Sequence, residues 1–304
     1  MIKYLKHTEI DKTKWDDCLS QSFNGIIYAY SWFLDIVCPY WEGLVEGDYE
    51  FIMPLTKGRK YGINYLFPPY FTQQLGVFSK KIVSESKVVE FLNTIPADIK
   101  FIEINLNVHN NISSSSISTK QNLTHELSLQ NSYETIFNSY YGNTKRNLKK
   151  AEKNNLIVSG NILPEDVIKM FRENKGKEVS NLKSKQYKIL NALIKECASR
   201  NKLESIGITT PDGKLCAGGF FVESNGKWIF IFSCSTKETK SKGAMFLLID
   251  SFIKKHSNRN QVLDFEGSNN KNLAQFYKCF GSKENVYLQV KINKLPALIR
   301  WFKK

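Results

Sequence analysis

Residues 227–256 read KWIFIFSCSTKETKSKGAMFLLIDSFIKKH. The run 228–233 is apolar, aromatic and β-branched, which suits a buried strand. A polar loop at 235–242 leads to Gly243, and an apolar helix runs from Ala244 to about Lys255. Upstream, Asn225–Gly226 is the strongest hairpin dipeptide, so 215–222 is the antiparallel strand before it. ThrProAspGly at 210–213 is a further turn, and 202–209 a further strand. Two helices precede these, at 164–175 and 183–200, with Tyr187, Leu190, Leu193 and Ile194 on one face of the second. Downstream come a buried strand at 262–265, a helix at 270–280 and a strand at 286–290. Leu295, Leu298, Ile299 and Phe302 place a last helix at 295–304, with Pro296 near its start. The second half therefore reads helix, helix, three-stranded meander, helix, strand, helix, strand. That order predicts an α/β domain of the α+β kind with a mixed sheet, not a doubly wound one.

The first part reads less sharply. Helical spacing appears at 10–20, 29–38 and 83–94. Strands are expected at 41–48 and 49–55 around a turn at Gly47–Asp48, at 61–67 before Pro68–Pro69, at 99–106 and at 122–129. The serines at 113–116 mark a loop. Asn131 or Ser132 is placed to cap a helix with Glu134 in its first turn.

A chain of 304 residues is long enough for two domains and for a core without covalent staples. No apolar run of about 18 residues occurs, and the N-terminal residues lack the apolar centre of a signal peptide. A cytoplasmic location is expected. The six cysteines show no CxxC spacing and the four histidines no HxH or HExxH pattern, so no metal site is expected. The net charge of +14 is uneven: residues 1–130 carry 12 basic and 14 acidic side chains, residues 131–304 carry 31 and 15. This asymmetry points to an anionic partner for the second part, such as a phosphate-bearing cofactor, a nucleic acid or an anionic membrane surface; the alternative is a lysine-rich composition serving solubility.

A helix N-terminus presents unpaired N–H groups and the positive end of the helix dipole. Gly243 and Ala244 place small residues at such a terminus, and Lys237, Lys240 and Lys242 add charge, so a pyrophosphate fits there. An ordinary helix start beside solvated lysines is the competing reading. Lys145, Arg146, Lys149, Lys150 and Lys153 form a basic face on one helix, either a contact for an anionic substrate or a solvated surface. The stretch from Phe67 to Gly76 sets aromatics beside Gln73 and Gln74, as a groove lining for a peptide or sugar acceptor or as a rigid turn.

The segment 227–282 resembles the cofactor-binding half of the GNAT acyltransferase superfamily. Lys240, Ser241, Lys242, Gly243 and Ala244 are similar to its Gln/Arg-x-x-Gly-x-Gly/Ala pyrophosphate loop. Asn270, Tyr277 and Gly281 stand at the spacing of its Asn-x-x-Ala-x-x-x-Tyr-x-x-x-Gly-Phe motif. Lys240, Met245, Leu273 and Ser282 depart from these patterns. Residues 141–158, with 264–268 and 274–281, resemble FemAB-like proteins, although no long heptad-patterned arm occurs within 160–205. The resemblance implies two tandem GNAT-like domains: a degenerate one at 1–120 and an active-looking one at 121–304.

It also implies an N-acyltransferase, in which an amine attacks a thioester or ester. The donor would be acyl-CoA or aminoacyl-tRNA, and the acceptor an amine on a cell-envelope or peptidoglycan precursor or a similar metabolite. Such chemistry needs a base, an oxyanion donor and an acid. Glu266, just past a buried strand, is the candidate base or amine holder, or else a loop carboxylate capping helix 270–280. Tyr277 is the candidate acid for the leaving group, or else a half-buried aromatic. Backbone N–H groups around Ser233 are the candidate oxyanion donors, and Asn270 falls in the donor-binding motif. Cys234 has no histidine near it in sequence, which disfavours covalent catalysis. Two rival classes remain: a non-catalytic nucleic-acid-binding protein, and an inactive GNAT-derived protein. An active site requires strands 228–233 and 262–265 to splay apart with an open tunnel reaching Gly243; a closed, side-chain-filled gap favours the inactive reading.

Overall fold

The structure, a computed structural model, describes residues 1–113, 117–160, 162–177, 182–266 and 269–296. The chain divides into two compact units: residues 1–123 with those from 285 onward, and residues 124–284.

The first unit contains β1 (Ile2–Leu5), α1 (Lys12–Gln21), α2 (Ser31–Val37), β2 (Glu42–Glu46), β3 (Phe51–Leu55), β4 (Lys57–Lys60), β5 (Ile63–Leu66), β6 (Phe78–Ser79), α3 (Glu85–Asn93) and β7 (Ile99–Asn105). One antiparallel sheet runs β1-β2-β3-β6. In a second, β4 pairs antiparallel with β5, and β5 parallel with β7. The expected single strand at 61–67 is instead the second arm of a hairpin, because Tyr61 and Gly62 both take positive φ and turn the chain between β4 and β5. Leu44, Phe91, Ile102 and Leu106 are fully buried in this unit's core.

The second unit contains β8 (Thr119–Ser128, entering from the first), α4 (Tyr133–Ser139), α5 (Gly142–Lys153), β9 (Ile157–Gly160), α6 (Pro164–Glu173), α7 (Ser184–Ser199), β10 (Leu203–Thr209), β11 (Leu215–Ser224), β12 (Lys227–Ser235), α8 (Lys237–Lys240), α9 (Ala244–His256), β13 (Val262–Asp264) and α10 (Lys271–Lys278). Its strands run in the order β8-β13-β12-β11-β10-β9. Only the β12–β13 pair is parallel. Asn225 and Gly226 turn β11 into β12 with φ of 52° and 73°, the positive pair that a tight hairpin needs. Ser132 caps α4 by accepting from the Thr135 amide, and Glu134 lies in the first turn as expected.

Helices cover both faces of this sheet. A side chain at Gly218 would meet Val167 of α6, and one at its neighbour Gly219 would meet Leu248 of α9. Phe221 stacks on Phe230 and on Phe252, with ring centroids 4.6 and 3.8 Å away. Each such buried phenylalanine contributes about 1.5–3 kcal/mol.

β14 (Lys283–Asn293) leaves the second unit and pairs over Gln289–Asn293 with β7. The sequence reading assigned these residues to a domain at 121–304. They join the first unit because Val290 is fully buried in its core and the strand completes the β7 ladder. Most of the helix expected at 295–304 lies outside the described residues. Among those described, no helix is long and apolar enough to cross a membrane.

Candidate active site

The site begins with how β12 and β13 part. They pair at three positions only, Lys227 with Val262, Trp228 with Leu263 and Ile229 with Asp264. β12 then runs six residues further, to Ser235. β13 stays with β8 instead, and the Phe265 amide donates to the His125 carbonyl at 2.9 Å. The pairing of the two strands therefore ends at Asp264. β12 also carries a bulge on its β11 side. Phe230 pairs with Phe221 and Phe232 with Phe220, which leaves Ile231 as the extra residue. Phe230 consequently faces the α9 core, while Phe232 packs on Phe171 of α6 at 4.9 Å. Ser233 is half-buried and pairs with Gly219, on the α9 side of the sheet.

Gly243 forms the N-cap of α9 at φ 86°. A side chain there would lie 2.1 Å from the Asn147 carbonyl of α5. The glycine thus serves a close helix–helix approach as well as a left-handed cap. Ala244 is fully buried; Lys240 is exposed and Lys242 half-buried. Gly243→Ala combines overpacking with a strained φ, so about 2 kcal/mol of stability should be lost in urea unfolding. A loss below about 0.5 kcal/mol, the noise of a neutral surface change, would contradict this packing.

At the other wall, Glu266 is half-buried and takes φ 58°, and its amide donates to Asp264 Oδ1 at 2.9 Å. Tyr277 of α10 is 7% exposed and stacks on Phe265 at 4.9 Å. Burial first, then the negative charges of Glu266 and Asp264, hold its phenol far above the usual range, so it keeps its proton. Asn270 caps α10, its Oδ1 accepting from the Asn272 and Leu273 amides. Cys234 is buried, which pushes its thiol up to about 11 and away from the nucleophilic thiolate.

Sequence reasoning missed a buried ionic cluster beside these residues. Leu127, Leu263 and Phe265 point into the core, so the alternating Thr124, Glu126 and Asp264 lie on the other face of the sheet. Lys227 Nζ bonds Glu126 and lies 3.6 Å from Asp264 Oδ2. The Thr124 hydroxyl donates to Asp264 Oδ1 at 2.6 Å. Burial opposes the charge on Lys227, but Asp264 and Glu126 outweigh it and hold the ammonium above its ordinary range. Burial raises Asp264, against the pull of Lys227. An aspartate inside an apolar strand was the available signal, since a buried carboxylate needs a partner. His125 was also passed over. It is fully buried, its ring 6.0 Å from Tyr277 and its Nε2 3.7 Å from Glu284. Burial lowers its pKa and favours the neutral ring.

The basic face lies on α5. Arg146, Lys149, Lys150 and Lys153 are exposed, whereas Lys145 reaches the Asn138 carbonyl at 3.1 Å. The helix is anchored by Ala151 and by Thr144, whose hydroxyl donates to the Cys279 carbonyl. Gln73 and Gln74 belong to the first unit. Gln74 is buried, donating to Gln73 Oε1 at 2.7 Å and accepting from the Val108 amide at 3.1 Å. Gln73 borders a cavity of about 10 Å³ with Thr56, Phe67, Pro68 and Asn105. That volume admits one water, not a peptide or sugar. Among the described residues, no three His, Cys, Asp or Glu side chains gather as a metal would need.

No family model matches the sequence, and no curated protein matches it either. Solved structures do match. A crystal structure of FemX is similar with a TM-score of 0.69 and 10% identity, over 99% of this chain and 100% of that one. A domain assigned to a lysylphosphatidylglycerol synthetase of Agrobacterium fabrum gives 0.56 and 10%, over 96% and 93%. A tandem GNAT protein from the clavulanic acid biosynthesis pathway gives 0.51 and 10%, over 98% and 100%. The chain has the FemAB-like, tandem GNAT-like fold.

Proposed function

We propose that this chain is an N-acyltransferase that moves an acyl or aminoacyl group from acyl-CoA or aminoacyl-tRNA to an amine, with a cell-envelope or peptidoglycan precursor as the acceptor class. The observation that carries the reading is the parting of β12 from β13 after Asp264, with Glu266 and Tyr277 on one wall. In this reading the acceptor amine attacks the donor carbonyl and Glu266 takes the ammonium proton or holds the amine. A C–N bond forms as the C–S bond of a thioester, or the C–O bond of an ester, breaks. Tyr277 gives its proton to the leaving sulfur or oxygen and is restored by the second proton that the nitrogen loses as the amide forms, while Glu266 releases its proton to solvent. N–H groups of β12 beside the bulge, around Ser233, receive the oxyanion. Gly243 and Ala244, with Lys240, Lys242 and Asn270, bind the donor. Lys145, Arg146 and Lys149 contact its anionic part or an anionic acceptor. Reaction in the cytoplasm, at or near a membrane surface, fits such an acceptor.

Donor binding tests this. A ligand at 100 times its Kd stabilises a protein by about 2.7 kcal/mol, which a thermal melt resolves. Acetyl-CoA and alanyl-tRNA are the two probes, and one of them should raise the melting temperature. A shift with one probe and not the other identifies the donor class. A shift with neither removes the proposal. RNA binding without turnover favours a nucleic-acid-binding protein instead.

A further inference from the structure

The left-handed backbone at Glu266 needs a cause. It is neither glycine nor asparagine, and φ near 58° is costly for a residue with a long side chain. The group that holds its amide lies two residues upstream. Asp264 Oδ1 accepts the Glu266 amide at 2.9 Å, a side-chain-to-backbone turn of the kind that aspartates form. Asp264 is itself immobilised. It is 1% exposed, its Oδ1 also accepts the Thr124 hydroxyl at 2.6 Å, and its Oδ2 faces Lys227 at 3.6 Å. Lys227 is held in turn by Glu126. These residues come from three adjacent strands, β8, β12 and β13: Asp264 pairs with Glu126 and with Ile229 on the last rung before β12 and β13 part, and Lys227 reaches them from the first.

We propose that Asp264 is the positioning residue of the candidate active site: clamped by Thr124 and Lys227, its carboxylate holds the Glu266 amide and so sets where Glu266, in its left-handed conformation, leaves β13. Asp264 is not a catalytic residue, because its oxygens are spent on Thr124, Lys227 and the Glu266 amide. Lys227, Glu126 and Thr124 hold the carboxylate in place, and their charges and hydroxyl are the reason an aspartate can sit in an apolar strand at all. This deepens the acyl-transfer reading and rests on it for kinetics, but the backbone turn is testable without any substrate.

The experiment compares Asp264→Ala with Asp264→Asn. Asparagine keeps an oxygen that accepts the Glu266 amide, whereas alanine does not. In amide hydrogen exchange by NMR, the Glu266 amide should stay protected in the Asn variant and lose protection in the Ala variant. With whichever donor the wild type uses, Ala should lower kcat about 10²-fold with KM changed by less than about twofold, and Asn should lower kcat by no more than about threefold, as expected when geometry rather than binding is lost. If Asp264→Ala does not fold, Asp264→Val, which suits a strand, also lacks the accepting oxygen and leaves Lys227 paired with Glu126, takes its place. Persistent protection of the Glu266 amide in the Ala variant overturns the proposal, as does an equal loss of kcat in both variants. A wild-type protein that turns over no donor defeats acyl transfer, while the exchange comparison still decides the role of Asp264.

Discussion

Lys227→Ala is expected to destabilise the second unit by about 3–5 kcal/mol, because it strands two carboxylates away from their cation. The side chains of Lys227, Glu126 and Asp264 are 19%, 16% and 2% exposed, so water replaces little of the lost ammonium. The effect should depend on pH in a definite sense. Burial already raises the Asp264 carboxyl, and Lys227 is the group that opposes the rise. Without it the folded state holds the Asp264 proton to higher pH than the unfolded chain does, whose aspartates titrate near about 3.9. Between those values the folded state binds more protons, so stability falls as pH rises. Urea unfolding should therefore show a larger loss for Lys227→Ala at pH 8 than at pH 5. Adding Asp264→Asn should recover part of the loss, since one buried charge is then removed. A single variant within about 1 kcal/mol of wild type, the scale of an exposed ion pair, would show that the cluster is solvated.

Tyr277→Phe is the second large effect. The phenol keeps its proton because burial, Glu266 and Asp264 all disfavour the phenolate. It is thus an O–H donor throughout the working pH range. Removing an acid that protonates a leaving group costs about 10²–10⁴-fold in rate. The ring stacks on Phe265, and phenylalanine keeps that stack, so the fold and the donor KM should persist. The measurement is kcat at saturating donor, with circular dichroism and melting temperature as controls for folding. A kcat within about threefold of wild type, well short of a general acid's contribution, would reduce Tyr277 to a packing residue.

Some of this site was legible from residues alone. The apolar run before a polar loop and Gly243 identified a strand and a helix start, and both are present as β12 and α9. Asn225–Gly226 gave the hairpin, and the buried strand ending near Asp264 placed Glu266 just beyond it. β9 was not legible, because four residues with no clear alternation carry too little pattern to register. Gln74 was misleading in kind: a polar side chain in an aromatic loop looks like a ligand contact, yet its amide ties the loop to residue 108.

The sequence by itself determined the order of elements from α6 to α10, the four-residue α8 excepted, the turn at Asn225–Gly226 and the helix start at Gly243. Each follows from backbone geometry or from side-chain periodicity within a few residues. The tertiary structure alone decided what those residues meet. Gly243 lies against the carbonyl of Asn147, almost a hundred positions earlier, and Lys227 finds Glu126 and Asp264 across three strands. The final strand leaves the unit that precedes it in sequence and completes a ladder with β7. Strand pairing and charge burial depend on partners far apart along the chain, and local propensity carries no record of which distant partner is chosen.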